Sequence, residues 1–256
     1  RMRRTQSGNI LFLILLAVVL FAALSYAVTQ STRGGGNDAS SEKSKTIAAE
    51  ITQYGSLLEN TVQRMRLSNG CADYQISFEN PVVSGYTSSF PLADKRCNVF
   101  DPAGGGMAWK TLPVEWLDPY FTSWSANEFG KIVFPYYFAF NGIGTTLASG
   151  SDISTVDLVL IVPFLTDNIC KAINSQLGLP FPYLGNVILP NTGGKFRGSF
   201  TGCGPSSCNY QNSLSSTAYT GSINYIMSAG CVTGQAIATP EPGKTGNAYF
   251  HVLWAR

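Results

Sequence analysis

The stretch SGNILFLILLAVVLFAALSYAVTQSTRGGG, residues 7–36, constrains the fold more than any other part of the chain. Three arginines precede it, and it contains no ionised side chain before Arg33. As a helix rising ~1.5 Å per residue, the uncharged run from Ile10 to Val28 would be ~28 Å long, close to the hydrocarbon thickness of a bilayer. If the arginines stay on the cytoplasmic side, everything after Thr29 faces outward. The sequence therefore predicts a single-pass inner-membrane protein whose C-terminal domain lies outside the cytoplasm.

Three fates are open to this apolar segment. Ser25 and Ala27 fit the small-residue positions of a signal-peptidase site, and a cut after Ala27 would release the rest of the chain. The apolar region is longer than the ~7–15 residues usual for a signal peptide, which favours retention as a simple anchor. The third fate depends on Gly8, which ends a short basic leader directly before the apolar helix.

A basic leader that ends in glycine and continues as an apolar helix resembles the prepilin arrangement of type IV pilins and type II secretion pseudopilins. The run 8–30 also resembles alphaproteobacterial proteins of the type II secretion kind. The resemblance implies a peptidase cut between Gly8 and Asn9 and a helix that packs with those of other subunits. The implied partners are the membrane, copies of the same chain and other pilin-like subunits. Pilins usually have a glutamate where this chain has Leu13, which argues more against a major pilin than against a pilin-like subunit.

The region after the apolar helix divides into a linker and a second helix. Residues 31–40, STRGGGNDAS, predict a flexible linker because each glycine costs ~1 kcal/mol inside a helix relative to alanine. A helix over 41–70, starting at Ser40 or Ser41, is predicted from apolar residues recurring at three- and four-residue spacing. These residues are Ile47, Ile51, Tyr54, Leu58, Val62 and Met65. The stripe predicts a helix packed against a globular core.

Residues 71–256 predict one β-rich extracytoplasmic domain. Alternating or continuous apolar runs predict strands at Gln75–Glu79, Lys131–Phe140, Val156–Val162, Ser222–Met227 and Ala248–Trp254. A short helix is predicted between an N-cap at Thr166 and a C-terminal glycine at Gly178. With a leader over 1–8 and the apolar helix over 9–30, the predicted fold class is α+β. It consists of a long N-terminal helix, broken by glycines, packed on a single β-rich domain with one further short helix.

Six cysteines follow the apolar segment, and an even number in an exported domain favours disulfides. Six cysteines allow 15 pairings, so the sequence alone leaves the connectivity open. The pairs we favour are Cys203–Cys208, Cys71–Cys97 and Cys170–Cys231. Zinc is the alternative for the C-x4-C pair Cys203 and Cys208, but His251 is the only histidine in the chain. Structural zinc sites need a second ligand pair, so no metal is assigned to these cysteines.

The charge balance excludes a nucleic-acid partner. Net charge is +2, but three of the 17 basic residues precede the apolar run, which leaves 14 basic residues against 15 acidic ones. A nearly neutral body lacks the basic footprint that nucleic-acid binding needs.

The sequence contains no catalytic constellation that we recognise. His251 alternates with aromatic residues in a terminal strand, and no G-x-S-x-G motif accompanies it, so a serine triad is not predicted. The triglycine Gly104–Gly106 is not followed by Gly-Lys-Ser/Thr, which favours a loop over a phosphate site. We therefore predict that the chain is not an enzyme and has no cofactor. Its predicted function is that of a pilin-like or pseudopilin-like structural subunit of an envelope-associated filament or secretion apparatus.

An alternative function rests on a cluster of tryptophans and acids. Trp109, Glu115, Trp116 and Trp124 form a candidate ligand cleft, because aromatic rings beside carboxylates are typical of sugar-binding sites. The alternative is a membrane-tethered extracytoplasmic carbohydrate-binding module or glycan-active enzyme. Calcium is a further option, with oxygen ligands from Asp94, Asp101, Asp152, Asp157 and Asp167. No D-x-D-x-D-G loop is present, so no calcium site is assigned.

Overall fold

A computed structural model describes residues 9–33, 35–122, 129–136, 157–179, 181, 195–198, 228–235 and 245–255. This part of the chain contains α1 (Asn9–Arg33), α2 (Gly35–Ser68), β1 (Leu158–Leu165), α3 (Asp167–Gln176), β2 (Ala229–Gln235) and β3 (Thr245–Trp254). Three short 3-10 helices lie between α2 and β1, at Asp73–Gln75, Val114–Trp116 and Pro119–Phe121. The chain divides into two compact units, Arg1–Lys43 and Ser44–Arg256, and each is described by itself.

The first unit contains α1. Within the residues that the structure describes, no helix is both long enough and apolar enough to cross a membrane. The prediction of a single-pass inner-membrane protein with its C-terminal domain outside the cytoplasm is therefore wrong.

The second unit is built on the apolar stripe of α2. The side chains of Ile47, Ile51, Leu58, Val62 and Met65 are buried, as their helical spacing predicts. The helix begins at Gly35, ahead of the predicted start at Ser40.

A three-stranded antiparallel sheet lies in this unit, in the order β1-β3-β2. Two of the predicted strands, Val156–Val162 and Ala248–Trp254, correspond to β1 and β3. Every residue of β1 is buried, because both faces of the sheet are covered. In β3, Tyr249 and Leu253 belong to the core cluster that includes the α2 stripe. The central strand β3 is the only one of the three that pairs with both others.

The predicted fold class is wrong in its main features, although a mixture of helices and antiparallel strands is present. The described residues form α1 (Asn9–Arg33) and α2 (Gly35–Ser68) as two helices, and the predicted long N-terminal helix packed on a β-rich domain is not found among them. The described part also lacks a β-rich domain, since its only sheet has three strands. The predicted strand at 75–79 and the described part, 131–136, of the one at 131–140 contribute only isolated bridges, at Ser77, Val133 and Pro135. The predicted strand at 222–227 lies outside the described residues.

Side chains explain why residues 71–122 form turns rather than a sheet. Seven short polar side chains accept hydrogen bonds from backbone N–H groups two residues further along the chain. Such bonds offer the backbone an alternative to pairing with another strand. The seven residues are Ser77, Asn80, Ser88, Asp94, Asn98, Asp101 and Asp118.

Helix α3 is fastened to β2 by both covalent and polar contacts. Thr166 occupies the N-cap position without a side-chain capping bond, and Gly178 follows the helix with a φ of 69°. The side-chain amide of Asn174 donates to the backbone oxygen of Cys231 at 2.7 Å and accepts from its backbone N–H at 2.8 Å. Asn174 is fully buried, so these two bonds satisfy groups that water does not reach.

Two disulfides link the described cysteines. Cys71 bonds to Cys97 and Cys170 bonds to Cys231, which are two of the three pairs favoured from the sequence. Among the described residues no cysteine is free. Cys203 and Cys208 lie outside the described residues, so their pairing stays a prediction.

We expect Cys231→Ser to lower the stability of the second unit strongly. The Cys170–Cys231 bond joins residues 61 positions apart. A loop of that length corresponds to ~4 kcal/mol of stabilisation, or a drop of roughly 10 °C in melting temperature when the bond is lost. Thermal unfolding followed by circular dichroism measures the change.

The matched comparison is Cys97→Ser, which opens a bond between residues 26 positions apart and should cost ~1 kcal/mol less. Alkylation of Cys170 or Cys231 in the native protein without reductant would contradict the pairing.

Candidate functional site

The most unusual surface in the described residues is that of α1. Every residue from 11 to 26 is exposed, and the large apolar ones have between 48% and 75% of their surface accessible. These residues are Leu11, Phe12, Leu13, Ile14, Leu15, Leu16, Val18, Val19, Leu20, Phe21, Leu24 and Tyr26. An apolar surface that surrounds a helix is characteristic of a segment that other apolar groups cover. We call residues 11–26 the α1 surface.

The residues of the predicted ligand cleft do not share an open surface. Trp116 is only 6% exposed, whereas its neighbour Glu115 is exposed to solvent. Trp109 is half-buried and lies edge-on to Phe100, with 5.1 Å between ring centroids. Trp124 lies outside the described residues. The three residues that can be placed are thus a core side chain, an exposed carboxylate and a member of an aromatic cluster.

Lys110 covers part of the same tryptophan. Its Nζ lies 5.4 Å from the ring centroid of Trp116 and 5.9 Å from that of Tyr54, within the range of cation–π attraction. The ammonium group also pairs with the carboxylate of Glu50. Tyr54 donates its hydroxyl hydrogen to the backbone oxygen of Ala108 at 3.1 Å, and burial raises its pKa to about 12. These contacts fasten residues 108–116 to α2.

The triglycine Gly104–Gly106 allows close packing of the backbone and does not form a phosphate-binding loop. The amides of Gly104 and Gly106 donate to the backbone oxygen of Asp101, and that of Gly105 donates to the backbone oxygen of Asn98. A Cβ added at Gly104 would lie 2.2 Å from the Asn98 oxygen, so no side chain fits there. Because these amides already donate within the protein, they are not free to cradle an anion.

His251 joins β3 to α2 in a buried hydrogen-bonded chain. Its Nε2 lies 2.8 Å from Glu59 Oε2, and its Nδ1 lies 2.8 Å from the hydroxyl oxygen of Tyr249. A carboxylate only accepts, so Nε2–H donates to Glu59, and in the neutral ring Nδ1 accepts from Tyr249. Burial raises the pKa of Tyr249, and the nearby charge of Glu59 raises it further, so the hydroxyl keeps its proton. We call these three residues the Glu59–His251–Tyr249 chain.

Gly55 makes room for this chain on the surface of α2. A Cβ added at Gly55 would lie 2.8 Å from both His251 Nδ1 and the Tyr249 hydroxyl oxygen. Both groups belong to buried rings that cannot swing aside cheaply. The sequence interpretation of His251 as structural agrees with this position, whereas the role of Gly55 has no signal in the helical spacing.

The acidic residues considered for calcium are engaged elsewhere. Among the residues that the structure describes, no group of three His, Cys, Asp or Glu side chains is placed to hold a metal ion. Asp94 pairs with Arg96 at 3.3 Å and Asp101 with Lys95 at 3.5 Å. Asp167 accepts a hydrogen bond from Asn247 at 2.6 Å, and Asp152 lies outside the described residues.

A small polar cleft was missed by the sequence analysis. It has a cavity volume of about 30 Å³ and lies within residues 75–98, next to the Cys71–Cys97 disulfide. Its polar lining consists of Gln75, Ser77, Glu79, Ser88, Lys95 and Asn98. These residues carry no recognisable motif, and their assembly depends on the turns described above. We call this feature the 75–98 cleft.

Comparison of the sequence with protein-family models, with curated proteins and with solved structures gave no match. A fold does not by itself determine a function. The function therefore has to be argued from the α1 surface, the buried contacts and the 75–98 cleft.

We expect Gly55→Ala to destabilise the second unit, although alanine is the better helix former by ~1 kcal/mol. The new methyl group would push His251 and Tyr249 away from α2 and break their hydrogen bonds, for a net loss of ~1–3 kcal/mol. Chemical denaturation measures the free energy of unfolding.

The adjacent substitution Ser56→Ala is the control, because Ser56 is exposed and should change stability by less than ~0.5 kcal/mol. Equal or greater stability of Gly55→Ala would show that the Glu59–His251–Tyr249 chain does not fix α2 to β3.

Proposed function

We propose that this chain is a pilin-like or pseudopilin-like structural subunit that acts by assembly through α1. The single observation that carries the proposal is the α1 surface, which is apolar and exposed on every side of the helix. The partners are α1 helices of other copies of the chain or of related pilin-like subunits. The role is structural, and no catalytic step is assigned.

The chemistry of α1 favours helices of its own kind as partners. The helix has no ionised residue before Arg33, so parallel copies meet no like-charge repulsion along the apolar length. Alanines at 17, 22 and 23 interrupt the large side chains and leave lower places on the helix surface. Ridges of one helix pack into grooves of another, and burial stabilises them by ~25 cal/mol per Å² of apolar surface.

The two possible cuts differ in how much of α1 they keep. A cut after Gly8 would leave all of the described helix, Asn9–Arg33, on the mature subunit. A cut after Ala27 would instead remove most of α1 together with the α1 surface. The two fates therefore predict mature proteins with different assembly properties.

The second unit is suited to be the displayed part of such a subunit. It has its own core, and two disulfides fix its chain without any contribution from α1. Such a domain keeps its fold when the assembly helix changes partners.

The N-terminus of the protein purified from its native cell tests this proposal directly. Mass spectrometry of the intact chain should give Asn9 as the first residue. Val28 as the first residue would overturn the proposal because α1 would be lost, and an uncut leader would overturn the pilin-like processing.

We expect a charge on the α1 surface to prevent assembly. Phe21 is 75% exposed, and Phe21→Lys would place an unpaired ammonium group between packed helices, at a cost of several kcal/mol. Sedimentation of the purified full-length chain should shift to the monomer, and electron microscopy of cells that carry only this variant should find fewer filaments.

Leu67→Lys is the matched control, because Leu67 is an apolar residue of α2 with 87% of its surface exposed. It introduces the same charge outside the α1 surface and should leave assembly unchanged. If Phe21→Lys and the wild type assemble alike, the helix surface is not the assembly interface.

A further inference from the structure

The segment that follows α2 contains a dipeptide with a reactivity of its own. Helix α2 ends at Ser68, and Asn69 and Gly70 come directly after it. When glycine follows asparagine, its backbone nitrogen can approach the side-chain amide of the asparagine closely, because glycine has no Cβ to hinder the approach. Asn69–Gly70 is the only such pair in the part of the chain that the structure describes, since Asn141–Gly142 lies outside it.

The backbone nitrogen of Gly70 is accessible. Gly70 is exposed, and apart from its chain neighbours no atom lies within 4 Å of the position that a Cβ would take. The backbone N–H groups of Asn69 and Cys71 both donate to the oxygen of Met65, at 3.1 Å and 3.2 Å. The N–H of Gly70, between them, donates to no backbone oxygen of the described residues. This nitrogen therefore breaks no backbone hydrogen bond before it reacts.

The side chain of Asn69 is held by one hydrogen bond at the surface. Its Nδ2 donates to the backbone oxygen of Arg96 at 2.8 Å, and this contact is exposed to water. Because water replaces a broken hydrogen bond at an exposed position, the bond restrains the side chain only weakly. The amide of Asn69 can therefore turn toward the nitrogen of Gly70.

We propose that Asn69 is a site of spontaneous deamidation. The nitrogen of Gly70 forms a bond to Cγ of Asn69 and gives up its proton, and the side-chain amide group takes up a proton and leaves as ammonia. The product is a cyclic imide, a succinimide. Water then opens one of its two carbonyls, which gives either aspartate or isoaspartate at position 69. Water is the only co-reactant, and the modification is independent of assembly through α1.

The product cannot keep the contact that Asn69 makes. A carboxylate only accepts hydrogen bonds, so it loses the bond to the oxygen of Arg96. Its negative charge also lies at the C-terminal end of α2, where the helix dipole disfavours an anion. Isoaspartate in addition lengthens the main chain by one methylene group. The Cys71–Cys97 disulfide keeps the two segments joined, because its cysteines are close in sequence to Asn69 and Arg96.

Peptide mapping of the folded, full-length protein after incubation at mildly alkaline pH tests the proposal. After reduction, trypsin releases residues 67–95 as one peptide that contains both Asn69 and Asn80. We expect Asn69 to convert to a mixture of aspartate and isoaspartate, which electron-transfer fragmentation distinguishes, and the conversion to be faster at higher pH. Asn80 is the internal control, because Pro81 has no backbone N–H to attack its side chain.

A synthetic peptide of residues 67–72 provides the comparison for the reaction without the fold. If Asn69 of the folded protein stays intact over a time in which the peptide converts, the fold protects the site and the proposal is overturned. Equal conversion of Asn69 and Asn80 would also overturn it, since Asn80 cannot react through the nitrogen of Pro81.

Asn69→Asp reproduces one product and tests the effect on the fold. We expect its melting temperature to fall by roughly 2–4 °C, as the loss of one hydrogen bond would. The matched control is Asn60→Asp, which adds the same charge at an exposed asparagine of α2 and should leave the melting temperature unchanged. Equal melting temperatures of Asn69→Asp and the wild type would contradict the loss of the contact with Arg96.

Discussion

The close approach of α2 to β3 at Gly55 is the constraint on which the second unit depends. Strand β3 pairs with both other strands, so its position sets the position of the whole sheet. The absence of a side chain at Gly55 lets the rings of Tyr249 and His251 reach the helix, and Glu59 completes the contact one turn later. Hydrogen bonds in such a buried site are specific in geometry, because a displaced partner would be left without water to replace it.

The sequence predicted best those helices and strands whose apolar residues recur at a regular spacing. The stripe of α2 and the alternation in β3 follow from spacing, because the burial of one apolar face decides each of them. The two described disulfide pairs were favoured from the sequence, but the sequence left their connectivity open. The sequence predicted residues 71–122 less well. Asn98 and Asp118 accept hydrogen bonds from backbone amides two residues away, and such local bonds compete with strand pairing where the apolar pattern is short. The 75–98 cleft arises from those same turns, so no linear pattern could have located it.

The two units present opposite chemistries. The α1 surface is apolar except for Ser25 and Tyr26, whereas the 75–98 cleft is lined by several polar side chains around a small volume. A surface of the first kind is typical of segments that other apolar groups cover.

The amide of Asn174 has a consequence for how copies of this domain can meet. Its two bonds to Cys231 occupy both backbone groups at one position of β2, which is an edge strand of the sheet formed by the described residues. The side chain thus satisfies the backbone N–H and C=O of Cys231 as a neighbouring strand would. An unpaired edge is the usual starting point for strand addition between molecules, and here α3 blocks it at Cys231. Addition of a strand from another molecule is thereby opposed at this position of β2.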